Sequence, residues 1–100
     1  MLKDNPVSAT AAVHAAMKDE RTHKYVFSCL RAFLSGDYGA MPKEDAEANR
    51  RELERGTGRV IGRYDTFGEL GGDIYIIGYF SDEDAGIDYN YTTILYCSEY

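Results

Sequence analysis

Val26, Cys29, Leu30, Phe33 and Leu34 fall at i, i+3, i+4, i+7 and i+8 within YVFSCLRAFLSGDYG, residues 25–39. This spacing gathers five apolar side chains into one wide stripe of a helix expected over residues 22–34. A stripe this wide must be buried, so the rest of the chain has to supply a surface that covers it. Gly36 stands where a helix ends in the left-handed conformation, and Asp37-Tyr38-Gly39 continues the turn.

The flanking segments read as weaker helices. Asn5-Pro6 or Ser8 can open a first one, because Asn and Ser cap well and Pro suits a first turn. Ala9, Val13 and Met17, four apart, give it a narrow apolar stripe, and Lys18-Asp19-Glu20-Arg21 breaks it. Pro42 starts a third helix that Gly56 ends. Glu44, Asp45 and Glu47 lie near its start and Arg50, Arg51 and Arg55 near its end, which complements the helix dipole. Only Ala46 and Leu53 tie it to a core.

From Gly58 the period changes to two. Residues 59–66 alternate, with Val60 and Tyr64 on one face and Ile61 on the other. Residues 68–73 hold three glycines and read as a hairpin loop. IYIIGYF, residues 74–80, is the segment richest in strand formers, and Gly78 within it suggests a bulge or a close neighbour. YNYTTILYC, residues 89–97, is a third strand after an acidic loop at 81–88. The expected fold is one α+β domain over residues 1–100, with two to three N-terminal helices packed on a three-stranded antiparallel β-meander.

A chain of 100 residues supports one core. It has no apolar run long enough to span a membrane and no signal-peptide pattern at its start, which points to a cytoplasmic protein. Cys29 and Cys97 make no disulfide framework and read as thiols within apolar segments. The net charge of −6 is uneven: residues 1–55 hold nine Lys/Arg and nine Asp/Glu, whereas residues 56–100 hold two and eight. Repulsion from phosphate argues against direct nucleic-acid binding, and the acidic half would be drawn to a basic protein surface.

Candidate chemistry is thin. An EF-hand needs glycine at its sixth position and a carboxylate at its twelfth, and counting from Asp82 these are Ile87 and Thr93. His14 and His23 have no cysteine at zinc-ligand spacing. A Cys29–His pair is open to spatial assembly, although Cys29 falls inside the apolar stripe. No nucleophile elbow, P-loop or zincin motif occurs, and no cofactor or metal is implied. The nine tyrosines, set against no tryptophan, stand out more. Tyr89 and Tyr91 share a strand face just after Asp82, Glu83, Asp84 and Asp88, and Tyr79 lies on the neighbouring strand. Together these seven residues are the candidate partner-binding patch.

Five stretches in order, LSGDYG at 34–39, EDAEAN at 44–49, GRVIGRY at 58–64, DIYII at 73–77 and TTILYCSEY at 92–100, resemble a family of small proteins. That family is carried by plasmids, integrative conjugative elements and phages, and the likeness runs from about residue 13 onward. It implies a protein of a mobile element, and some small proteins of this kind are anti-CRISPR proteins. The implied partner is a host CRISPR effector complex. Tyr38 stands where the family has tryptophan and Phe33 where histidine is common, and residues 81–90 are longer and more acidic than usual. No catalytic residue carries over. Two other functions stay open: a small metal-dependent nuclease using Asp37 with Glu44 or Asp73, and a regulatory DNA-binding module using Lys18, Arg21, Lys24 and Arg31.

Overall fold

The computed structural model describes residues 5–66 and 72–100. The elements in chain order are β1 (Val7–Ala9), α1 (Ala11–Ala16), α2 (Glu20–Leu34), α3 (Lys43–Arg55), β2 (Arg59–Tyr64), β3 (Ile74–Tyr79) and β4 (Tyr91–Tyr96), followed by a final 3-10 turn at Cys97–Glu99. The α+β class and the three antiparallel strands agree with expectation. The three-stranded meander does not: the sheet has four strands in the order β1-β4-β3-β2, and β1 pairs parallel to β4, Val7 opposite Thr92 and Ala9 opposite Ile94.

The extra strand comes from the segment expected to open the first helix. Residues 7–9 are extended, and the helix starts only after Thr10, whose Oγ1 accepts from the Val13 amide at 3.4 Å. The Thr92 amide donates to the Pro6 carbonyl at 2.9 Å and the Thr10 amide to the Ile94 carbonyl at 3.0 Å. These non-local bonds override a local preference that the sequence pattern cannot rank. Two smaller corrections follow. The β2–β3 and β3–β4 pairings run straight through Gly78, which faces Val60 and Thr92, so no bulge interrupts the strand. The last strand begins at Tyr91 rather than Tyr89, because the Asn90 side chain turns back to accept from the Ser81 amide at 2.7 Å. The hairpin loop expected at 68–73 lies mostly outside the described residues.

The stripe of α2 does what its spacing requires. The helix begins two residues earlier than expected, capped by Asp19, and Val26, Cys29 and Phe33 are buried on it. They join Val13, Tyr38, Val60, Tyr64, Ile74, Ile76, Phe80 and Ile94 in one core, with Ala46 and Leu53 of α3 partly buried against it. Burial of side chains such as Phe33 and Val26 contributes about 2 kcal/mol each. Tyr38 meets Phe33 edge to face, 6.0 Å between ring centres.

The outer edge of β2 is closed by two devices. Asn49 of α3, buried despite its polar helix, donates from Nδ2 to the Ile61 carbonyl at 2.7 Å and accepts at Oδ1 from the Ile61 amide at 3.0 Å. Its carboxamide thus takes the place of a neighbouring strand at that residue. Further along, the Arg63 amide donates to the Tyr38 carbonyl at 3.1 Å and the Ala40 amide to the Arg63 carbonyl at 2.7 Å. The intervening Gly39 has φ +67, and a Cβ there would stand 2.1 Å from the Arg63 carbonyl oxygen. Only glycine lets the chain pass this close.

Replacing Asn49 with leucine leaves the Ile61 N–H and C=O without their partners, so it should lower stability by about 2 kcal/mol in urea unfolding. An unchanged midpoint would show that water serves this edge equally well.

Candidate functional site

Alternation along the strands divides the sheet into two faces. Val60, Gly62 and Tyr64 of β2, Ile74 and Ile76 of β3, and Thr92 and Ile94 of β4 look toward the helices. Arg59, Ile61 and Arg63, then Tyr75, Ile77 and Tyr79, then Tyr91, Thr93 and Leu95 look the other way, in register across the three strands. Ile77, in the middle of this second face, has no exposed surface.

The side chains around Ile77 form a chain of ring contacts. Tyr79 and Tyr91 stack at 4.8 Å between centres, and Tyr89, 62% exposed, leans on Tyr91 at 6.0 Å. Tyr100 folds back onto Tyr75 at 5.5 Å. The Arg59 guanidinium lies over the Tyr100 ring at 5.4 Å and donates to its hydroxyl. Arg63 lies over Tyr75 at 6.0 Å and donates to the Asp73 carboxylate at 3.0 Å, with Asp65 at 3.9 Å. The two arginines of this face are therefore engaged within the protein. Burial, with Tyr91 next to it, pushes the Tyr79 phenol up, so the stacked ring stays neutral.

Beside Tyr89 stands the acidic loop. Asp82 and Ile87 close it as a tight hairpin, Asp82 N to Ile87 O at 2.8 Å and Ile87 N to Asp82 O at 2.9 Å. The Asp84 amide donates to Asp82 Oδ1 at 3.0 Å. Asp82, Glu83, Asp84 and Asp88 are all exposed, and none forms an ion pair with another described residue. Uncompensated negative charge thus sits on a locally pinned hairpin at one end of the tyrosine row. All seven residues singled out from the sequence lie on this hairpin or beside it. Sequence reasoning missed Tyr75, Tyr100, Arg59 and Arg63; the parity of Tyr75 with Tyr79 was the available signal for the first of these.

Other candidate groups are placed elsewhere. Cys29 and Cys97 are free thiols, the first buried and the second half-buried. Burial pushes both thiols up, the reverse of what a nucleophile needs. Asp37 accepts from the Gly39 amide at 3.0 Å, and Asp73 serves Arg63 and the Thr66 amide. Among the described residues no three His, Cys, Asp or Glu side chains cluster as a metal ion requires, and no helix is long and apolar enough to cross a membrane. Lys24 pairs with Glu20 at 3.3 Å, while Lys18, Arg21 and Arg31 form no ion pair with a described residue. Compared with known protein families, curated proteins and solved structures, the chain matches none.

Two titrations follow. The Arg63 hydrogen bond, helped by the Thr66 amide, holds the Asp73 carboxyl below the usual carboxylate range. Its contribution to stability is complete above the ordinary value of about 4 and is lost as pH falls below it. Asp73→Asn should flatten the acid limb of a pH–stability curve. Tyr64, whose hydroxyl donates to the Asp37 carbonyl at 2.7 Å, is pushed far up by burial first and by Asp37 second. Its contribution holds below pH about 10 and is lost above it. Tyr64→Phe should cost about 1 kcal/mol at neutral pH yet unfold less readily in alkali.

Proposed function

We propose that this protein is a non-enzymatic inhibitor that docks on a basic surface of another protein through the tyrosine-lined sheet face and the adjoining acidic hairpin. The observation that carries this reading is the juxtaposition of the Tyr89–Tyr91–Tyr79 row with four exposed carboxylates that form no ion pair with a described residue. Tyrosine supplies contact area with few rotamers to fix, and its hydroxyl tolerates water before docking. The carboxylates speed encounter with a cationic partner and set its orientation. A face whose own arginines are already bound to Tyr100 and Asp73 offers little to phosphate, which supports a protein partner over nucleic acid.

The resemblance to mobile-element proteins supplies the partner class. In this reading the protein is an anti-CRISPR inhibitor, and the surface it covers is the basic nucleic-acid groove of a CRISPR effector complex. Inhibition is then steric and electrostatic, and it requires no covalent step.

The test is target-DNA binding by candidate effector complexes with and without the protein. Reversing charge at Asp82, Glu83, Asp84 and Asp88 together should abolish inhibition, and Tyr89→Ala with Tyr91→Ala should weaken it by about tenfold or more. Inhibition that survives the charge reversal removes the acidic hairpin from the mechanism. Loss of activity in an Asp37→Ala variant, with metal-dependent cleavage by the unaltered protein, would replace the whole reading with a nuclease.

A further inference from the structure

Tyr100 lies on the tyrosine face in the way a ligand would. Strand register sets Arg59 beside Tyr79 and Arg63 beside Tyr75, two cross-strand rows with Ile61 and Ile77 between them. Tyr100 reaches both rows. Its ring meets Tyr75 at 5.5 Å with 64° between the planes, while the Arg59 guanidinium lies over it at 5.4 Å and donates to its hydroxyl. Arg59 and the Tyr100 phenol also both act electrostatically on Tyr79, so the ring borders the Tyr79–Tyr91 stack as well. Arg59 forms no ion pair with a described residue, and its partners on this face are phenols.

The backbone that carries this ring is tied to the sheet as far as Glu99. The Cys97 amide donates to the Asp73 carbonyl at 2.9 Å. Glu99 Oε1 accepts from the Tyr96 amide at 2.8 Å and from Thr10 Oγ1 at 2.9 Å. The Tyr100 backbone adds one local bond, from its amide to the Cys97 carbonyl at 3.2 Å. Its side chain is 59% exposed. Rotation about its own torsions therefore lifts the ring without breaking a bond between strands. What holds it down is a ring pair and a cation–π contact, both individually weak at an exposed site.

We infer that Arg59, Tyr75 and Tyr79 form a seat for a tyrosine side chain of a partner protein, and that Tyr100 is the internal plug this side chain displaces. The seat reads two properties at once. The guanidinium and the Tyr75 ring select an aromatic ring, and the Arg59 N–H selects an acceptor oxygen on it. An aliphatic side chain offers neither, and phenylalanine offers only the first. An incoming phenol replaces each contact that Tyr100 gives up. The acidic hairpin beyond Tyr91 and Tyr89 favours basic residues next to that tyrosine over acidic ones. The inference deepens the docking reading and rests on it for the basic character of the partner; the seat itself rests on the contacts of Tyr100.

The probe is an acetylated, amidated pentapeptide, one tyrosine followed by two glycines and two lysines, titrated into the isotopically labelled full chain and followed by amide NMR shifts. In Tyr100→Ala, shifts should centre on Arg59, Tyr75 and Tyr79. Affinity there should be about tenfold above that of the unaltered chain, where Tyr100 competes as an intramolecular ligand. Phenylalanine in place of the peptide's tyrosine should weaken binding about fivefold, and adding Arg59→Met to Tyr100→Ala should make these two peptides equal. A peptide with alanine in that place binding as well as the tyrosine peptide, Tyr100→Ala binding no better than the unaltered chain, or no shift at millimolar peptide would overturn the seat. Glutamates in place of the two lysines should weaken binding about fivefold. Equal binding of the lysine and glutamate peptides refutes the basic partner, and the docking reading with it, whereas dependence on the tyrosine alone decides the seat.

Discussion

A twisted sheet covered by helices on one side has to do something with the other side, and this constraint organises the molecule. The apolar stripe of α2 needs Val60, Ile74, Ile76 and Ile94 beneath it. Because strand side chains alternate, setting those residues inward sends Ile61, Tyr75, Ile77, Tyr79 and Tyr91 outward. No aliphatic surface that large is left bare. The tyrosines shield Ile77 with their rings, and Tyr100 adds its ring by folding back onto Tyr75. The face that could serve binding is therefore a by-product of how the core is closed.

The edges pose the same kind of problem at the level of the backbone. Asn49 solves one of them with a side-chain amide, in a helix whose exposed positions are otherwise charged. The solution explains why α3 stays docked with only Ala46 and Leu53 to offer in apolar contact. A polar residue thus does the anchoring that the apolar side chains of this helix are too few to do.

What could be read from the sequence follows from the range of the interactions. The stripe at Val26, Cys29 and Phe33, the dipole-matched ends of α3, the alternation expected over 59–66 and the run of strand formers at 74–80 are local patterns, and each gives an element there, the strands ending at Tyr64 and Tyr79. β1 was hidden because three residues carry no period and its partner lies at the far end of the chain. Asn49 gave no signal, since an asparagine in a polar helix looks like any exposed one. The exposure of Asp82, Glu83, Asp84 and Asp88 was legible from charge alone. The way Arg59 and Arg63 are bound to Tyr100 and Asp73 was not, because it depends on strand register.

The parallel pairing of Val7 with Thr92 joins residues far apart in sequence, whereas Tyr79 and Tyr91 are close neighbours along the chain. Closing the larger ring costs about 2 kcal/mol more in chain entropy, and only three residues of ladder repay it. The amino-terminal strand is therefore the piece of the sheet that closes the longest stretch of chain with the fewest paired residues. Were it to lift, the backbone of β4 between Thr92 and Ile94 would be laid bare along that one seam.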